Sequence, residues 1–126
     1  MVSYSSIPVL LDSNFLISCI LFKIRIENIH ELVDFKHKIV IPENVLEELR
    51  NLNIKGEERI SRDLALKIVE RYEVIKLEGE VDSSILDFAE KNRCVVCTND
   101  RELKKKLKKI GVPVIFIRGK SHLQKD

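Results

Sequence analysis

Cys94-Val95-Val96-Cys97-Thr98-Asn99-Asp100, CVVCTND, is the stretch on which the reading of this chain turns. It holds two chemistries in seven residues: a CxxC pair, and an aspartate where an apolar run stops. The run is short, β-branched and apolar, so it reads as a buried strand. Residues i and i+3 of a strand point to opposite faces. The two cysteines therefore neither chelate one ion nor pair with each other. A structural zinc site needs about four Cys or His ligands. Only Cys19 remains, and His30, His37 and His122 lack ligand spacing. A redox CxxC would sit at a strand-to-helix junction instead. The cysteines thus read as small core residues, no zinc is expected, and an odd count of three fits a reducing compartment. What remains is Asp100, a carboxylate at the carboxyl end of a strand.

Working outward, the rest of the chain alternates strand and helix. Ile7-Pro8-Val9-Leu10-Leu11 reads as a buried strand ended by Asp12. Helices are expected over residues 13–22, 26–35, 43–52, 58–72, 82–92 and 100–110, from apolar residues spaced by three and four. Strands are expected over 38–42, 73–77, 94–97 and 112–117, and Gly111 stops the helix before the last of these. This order implies an α/β fold: a three-layer α/β/α sandwich around a central, mainly parallel sheet of about five strands. Residues 1–118 form its single domain, and 119–126 read as a short, basic, mobile tail. In such folds reactive groups gather at the carboxyl ends of the strands.

The chain's 126 residues, 44% of them hydrophobic, suit one domain with one buried core. No apolar run reaches the roughly 18 residues of a membrane span. The start, MVSYSSIPVLL, has neither the basic opening nor the apolar stretch of a signal peptide. A cytoplasmic protein without membrane contact is expected. The net charge of +2 is unevenly spread: residues 1–100 carry 13 Lys/Arg and 18 Asp/Glu (−5), and residues 101–126 carry 9 and 2 (+7). An acidic body with a basic end suits a metal-dependent enzyme acting on a polyanion.

Asp12 and Asp100 each follow a strand, and Asp82 opens the helix before the second of those strands. Each alone reads equally well as a helix cap. Together, on one edge of a parallel sheet, they converge. A fourth acid comes from the helix PENVLEELRNL. Val45, Leu46, Leu49 and Leu52 set its buried stripe; Glu48 falls roughly 90° from the stripe's centre, while Glu43 and Glu47 fall nearly opposite. Glu48 is therefore the one that reaches a cleft. Converging carboxylates repel one another, and a divalent ion relieves that repulsion. Mg²⁺ and Mn²⁺ prefer such oxygen ligands and keep several waters. One or two such ions activate water and stabilise charge on phosphoryl oxygens. Ser13, Asn14, Thr98 and Asn99 add polar groups at the same strand ends, to hold waters or phosphate, or to cap and turn the chain.

These residues resemble the PIN-domain nucleases. The likeness lies in LLDSNFLI at 10–17, VLEELRNL at 45–52, VDSSILDFA at 81–89 and CTNDRELKKKLKKIGVPVIFIRG at 97–119, nearly the whole chain. The family pattern is an Asp-[Ser/Thr]-Asn opening, an acidic-Leu pair on a helix, an Asp seven residues before an Ala, and a Thr-Asn-Asp turn. Asp12, Glu48, Asp82 and Asp100 match its four acids, and Asp82 and Ala89 keep the spacing. The resemblance implies a Mg²⁺- or Mn²⁺-dependent endoribonuclease, with those four acids as metal ligands and catalytic groups, cutting single-stranded or structured RNA. TNDRELKKKLKKIGVPVIFIRG is most similar to the branch that cleaves pre-ribosomal RNA and its small archaeal relatives. VapC-type toxins share the acids and the length. The implied partners are RNA and, by branch, an antitoxin or a ribosome-assembly factor; an apolar helix face allows a homodimer.

The basic helix starts at the acidic residues. Leu103, Leu107 and Ile110 anchor it, so its lysines spread over the open face. Arg101, Lys104 and Lys105, with Arg118 and Lys120 beyond the last strand, are expected to guide the RNA backbone by salt-dependent contact. Two other classes fit less well. A response-regulator receiver needs an acceptor Asp after a middle strand, which neither IVIP nor EVIKLEG supplies. A nucleotide-binding domain needs a glycine-rich phosphate loop, and none is present. A non-catalytic RNA- or protein-binding module of the same family is the nearer alternative.

Overall fold

The structure, a computed structural model, describes residues 6–126. The reading of the N-terminus as lacking a leader falls partly on residues 1–5, outside the described residues. The elements run β1 (Ile7–Leu11), α1 (Ser13–Leu21), a 3-10 segment (Ile26–Leu32), β2 (His37–Pro42), α2 (Glu43–Asn51), α3 (Gly56–Ile68), a 3-10 turn (Val69–Arg71), β3 (Glu73–Ile75), α4 (Val81–Lys91), β4 (Val95–Cys97), α5 (Arg101–Lys109), β5 (Val114–Arg118) and β6 (His122–Lys125).

The strands form one six-stranded sheet in the order β3-β2-β1-β4-β5-β6, parallel except for β6. β1 lies between two neighbours, which explains its unbroken apolar run: Val9, Leu10 and Leu11 are wholly buried. α1 packs on α2 and α3, and α4 on α5, so the helices flank the sheet as two groups.

Chain order places the site. From β1 the chain moves outward to β2 and β3, then returns across the sheet to β4 on the far side of β1. The connections after β1 and β4 leave in opposite directions, which opens a crevice between their carboxyl ends. Asp12 ends β1, and Thr98-Asn99-Asp100 follows β4. Leu11 pairs with Cys97, and the Asp12 amide donates to the Cys97 carbonyl at 3.0 Å, so the two strand ends stand level.

Two expectations are corrected. Residues 119–126, expected as a tail outside the domain, pack along the sheet: Ile115 to Arg118 pair antiparallel with Lys125 to His122, Leu123 is buried, and Asp126 exchanges backbone bonds with Val114. The mainly parallel sheet of about five strands is as expected, with β6 as its sixth and one antiparallel strand. The helix expected over 26–35 is a 3-10 segment ending at Leu32. Its apolar residues Ile26, Ile29 and Leu32 recur every three residues, the period at which 3-10 side chains align.

The cysteines are core. Cys19, Cys94 and Cys97 are free and buried, and burial pushes the Cys19 and Cys94 thiols up to about 12 and about 11. Gly111, at φ 80°, takes the left-handed position that closes α5.

Candidate active site

The four predicted acids line one cleft of about 160 Å³, together with Asn14 and a fifth carboxylate, Glu80. Each arrives by a different route. Asp12 caps α1: its Oδ1 accepts from the Ser13 amide at 2.8 Å, and its Oδ2 accepts from the Thr98 hydroxyl at 3.0 Å. Asp100 caps α5, its Oδ1 accepting from the Leu103 amide at 2.8 Å. The capping reading and the acid-cluster reading therefore hold together for these two residues. Asp82 lies in the first turn of α4, whose cap is Glu80, accepting from the Ser83 amide at 3.2 Å and the Ser83 hydroxyl at 2.8 Å. Glu48 extends from α2, and the buried Ser13 hydroxyl donates to its Oε1. Glu43, Glu47 and Glu48 are all exposed, and of the three only Glu48 lines the cleft.

Thr98 is the hub. It is fully buried, donates to Asp12 and accepts from the Asp100 amide at 3.1 Å, so one hydroxyl fixes both strand-end acids. Ser13 plays the matching part for Glu48. Asn99 does something else: its Oδ1 accepts from the Ile117 amide at 2.9 Å, tying the end of β4 to β5.

The electrostatics follow from burial and crowding. Burial pushes the Asp12 carboxyl up to about 6; the Thr98 and Ser13 hydrogen bonds pull it down, while Asp82 and Glu48 push it further up. Asp82 is raised as well, by burial first and then by Asp100, Glu80 and Glu48, with Lys106 opposing. The cleft holds excess negative charge that a cation would relieve. All its carboxylate donors are oxygen, the chemistry of Mg²⁺ and Mn²⁺ rather than of a thiolate-bound metal. Among the described residues no group of three or more His, Cys, Asp or Glu side chains is placed to hold a metal ion as it stands. An ion held by Asp12, Glu48, Asp82 and Asp100 would have to keep part of its water shell.

The basic residues separate. Lys104 is half-buried, with its ammonium 3.4 Å from the centre of the Phe116 ring and 3.5 Å from Asp126. Lys108 lies 2.8 Å from the same carboxylate. Arg101 and Lys105 are exposed on α5. Arg118 and Lys120 lie on the β5–β6 hairpin, outside the residues lining the cleft; Lys120 reaches over the Phe22 ring at 5.8 Å. Sequence reasoning missed Glu80, Lys106 and Asn44. The Asn44 amide donates to the Gly79 carbonyl at 3.2 Å and to Ser84 Oγ at 2.7 Å, fixing the turn that presents Glu80 and Asp82. The Glu80-Val81-Asp82 spacing was a visible signal for Glu80; the other two depend on tertiary packing. A larger cavity, about 490 Å³, is lined by Phe35, Arg93, Cys94, Ile110 and Pro113 and by none of the four acids.

A family model described as PIN like domain matches residues 9–120. Ribonuclease VapC4 of Methanocaldococcus jannaschii is 34% identical over 128 residues, covering 96% of this chain and 95% of that protein. Ribonuclease VapC9 of Archaeoglobus fulgidus is 39% identical over 83 residues, 64% of this chain; the match spans 62% of that protein's length. Among solved structures, the PIN domain endonuclease Utp24 aligns with a TM-score of 0.76 at 27% identity, covering 93% of this chain and 90% of its own.

Proposed function

Because the chain belongs to the PIN like domain family, we propose that it is a divalent-metal-dependent endoribonuclease hydrolysing RNA phosphodiester bonds. The observation that carries this reading is the convergence of Asp12, Glu48, Asp82 and Asp100 on one cleft at the β1/β4 switch point. The names of the relatives, two ribonucleases and an endonuclease, support it.

Those four carboxylates would hold one or two Mg²⁺ or Mn²⁺ ions, which supply an activated water and stabilise charge on the phosphoryl and leaving oxygens. The chain's own residues do the positioning. Thr98 locks Asp12 and Asp100 in mutual register, and Ser13 holds Glu48 toward them. Asn14, exposed at the mouth of the cleft, presents an amide to the scissile phosphate or its waters. Burial raises the Asp12 pKa to about 6, so a bound cation would favour its ionised form further. Arg101, Lys105, Arg118 and Lys120 guide the RNA backbone from outside the cleft. Lys104, held by Phe116 and Asp126, contributes less.

The names of two relatives, Ribonuclease VapC4 and Ribonuclease VapC9, favour a VapC-type ribonuclease; the setting we propose is that of a toxin in the cytoplasm with a protein antitoxin as partner. Ribosomal RNA processing is the second setting, supported by the likeness of residues 98–119 to that branch. Growth arrest on induced expression, relieved by a co-expressed neighbouring gene, distinguishes the first from the second. The biochemical reading is tested by incubating RNA with the protein in Mn²⁺ and in chelator. Internal cuts that appear only with the metal support it. Cutting that persists in chelator rejects it.

A further inference from the structure

A groove of about 120 Å³ runs between α4 and α5 and shares Glu80 and Asp82 with the acid cleft. Its apolar lining is Leu86 of α4, half-buried, and Leu103 of α5, 2% exposed. Ser83 stands on one rim; Glu102 and Lys106, four residues apart on α5 and so on one face, stand on the other. The Ser83 hydroxyl hydrogen is engaged by Glu80. Lys106 makes no ion pair among the described residues, whereas Lys104 and Lys108, on the opposite flank of the helix, are tied to Asp126.

Charge decides what this groove takes. A phosphate there would meet three carboxylates, Glu80, Asp82 and Glu102, against one ammonium. A neutral, flat group with apolar faces and a hydrogen-bonding edge can lie against Leu86, with the nearly covered Leu103 beneath it, and meet the polar rim on its edge. Single-stranded RNA offers such groups, since its unstacked bases splay out and are read along their edges.

We infer that the α4–α5 groove seats the base of a nucleotide flanking the scissile phosphate, with Glu102 accepting from the base's amino and imino groups and Lys106 donating to its acceptors. Guanine satisfies both at once, with N–H donors for the carboxylate and O6 and N7 for the ammonium. Uracil offers one donor between two acceptors and leaves the carboxylate half-used. Glu102 and Lys106 are thus specificity-determining residues. The inference rests on the ribonuclease reading and adds a base preference to it.

The test is sequencing of the junctions cut by the protein, in Mn²⁺, from short single-stranded RNAs randomised around their centre. The wild type is expected to favour guanine over uracil on one constant side of the cut by about fivefold or more. Glu102→Gln and Lys106→Ala each bring that ratio within about twofold, whatever their total turnover. Lys109→Ala, on the same helix but outside the groove, keeps the wild-type ratio. Absence of any cutting in Mg²⁺ or Mn²⁺ overturns the ribonuclease reading itself. Cutting that is indifferent to the flanking base, or a preference that both groove variants retain, overturns the groove assignment alone.

Discussion

Thr98 Oγ1 lies 3.0 Å from Asp12 Oδ2, joining residues 86 positions apart in the chain. The same oxygen accepts from the Asp100 amide. Thr98→Val keeps the shape and removes both functions. It is expected to cost about 1–3 kcal/mol of stability, because a buried carboxylate oxygen loses its donor. Thr98 also draws the Asp12 pKa down, so its loss raises that pKa further. The acid limb of the cleavage rate's pH profile should therefore move to higher pH. Urea melts and the profile check the two parts separately.

Asp12 gives the fold a pH dependence of definite sign. Its carboxyl is held at about 6 in the fold against an ordinary 3.8. Between those values the folded form binds more protons than the unfolded form. Asp12 therefore lowers metal-free stability as pH rises through that window, and its penalty is complete above it. Asp12→Asn removes this contribution. Relative to wild type in chelator, the variant should gain about 2 kcal/mol on going from about pH 4.5 to about pH 7.5. Denaturant melts at the two pH values measure it, and a divalent ion should stabilise the wild type more than the variant.

Ser13 holds Glu48 toward the other acids through a buried hydroxyl. Ser13→Ala frees the long Glu48 side chain to leave the cleft. The cleavage rate is expected to fall by about tenfold, equivalent to roughly 1.4 kcal/mol of transition-state stabilisation. Ser13→Thr retains a hydroxyl and should recover most of it. Steady-state cleavage assays on the two variants check this.

Leu123 is buried by the pairing of β6 with β5. Leu123→Ala should cost about 2 kcal/mol, the lower end of large-to-small core changes. A thermal or urea melt indistinguishable from wild type would mean that residues 122–126 contribute no packing.

What the sequence revealed, and what it hid, divides by the range of the interactions. β1, β2 and β4 were legible because each is a short apolar run with a clear stop, and Glu48 because the helical repeat turns it alone of three glutamates toward the cleft. The acids at 12 and 100 were legible because a parallel sheet brings strand ends together. β6 was not: His122-Leu123-Gln124-Lys125 has one apolar residue, and only its docking along β5 makes it a strand. For the same reason the lysines of α5 could not be sorted. Their spacing shows an open face, but β6 neutralises one flank through Asp126, and α4 forms a groove along the other. Lys104, expected to bind RNA, lies on the first flank; Lys106, passed over, lies on the second.

The central claim is that Asp12, Glu48, Asp82 and Asp100 act as one metal-binding unit that cuts RNA. The direct measurement is single-turnover cleavage in saturating Mn²⁺ by the wild type, by Asp12→Asn, Glu48→Gln, Asp82→Asn and Asp100→Asn, and by the Asp12→Asn/Asp100→Asn double variant. Each single change should lower the rate by about 100-fold or more, and the double variant should fall little further, as expected for groups that act together. Variants that fold and cut at the wild-type rate would contradict the claim.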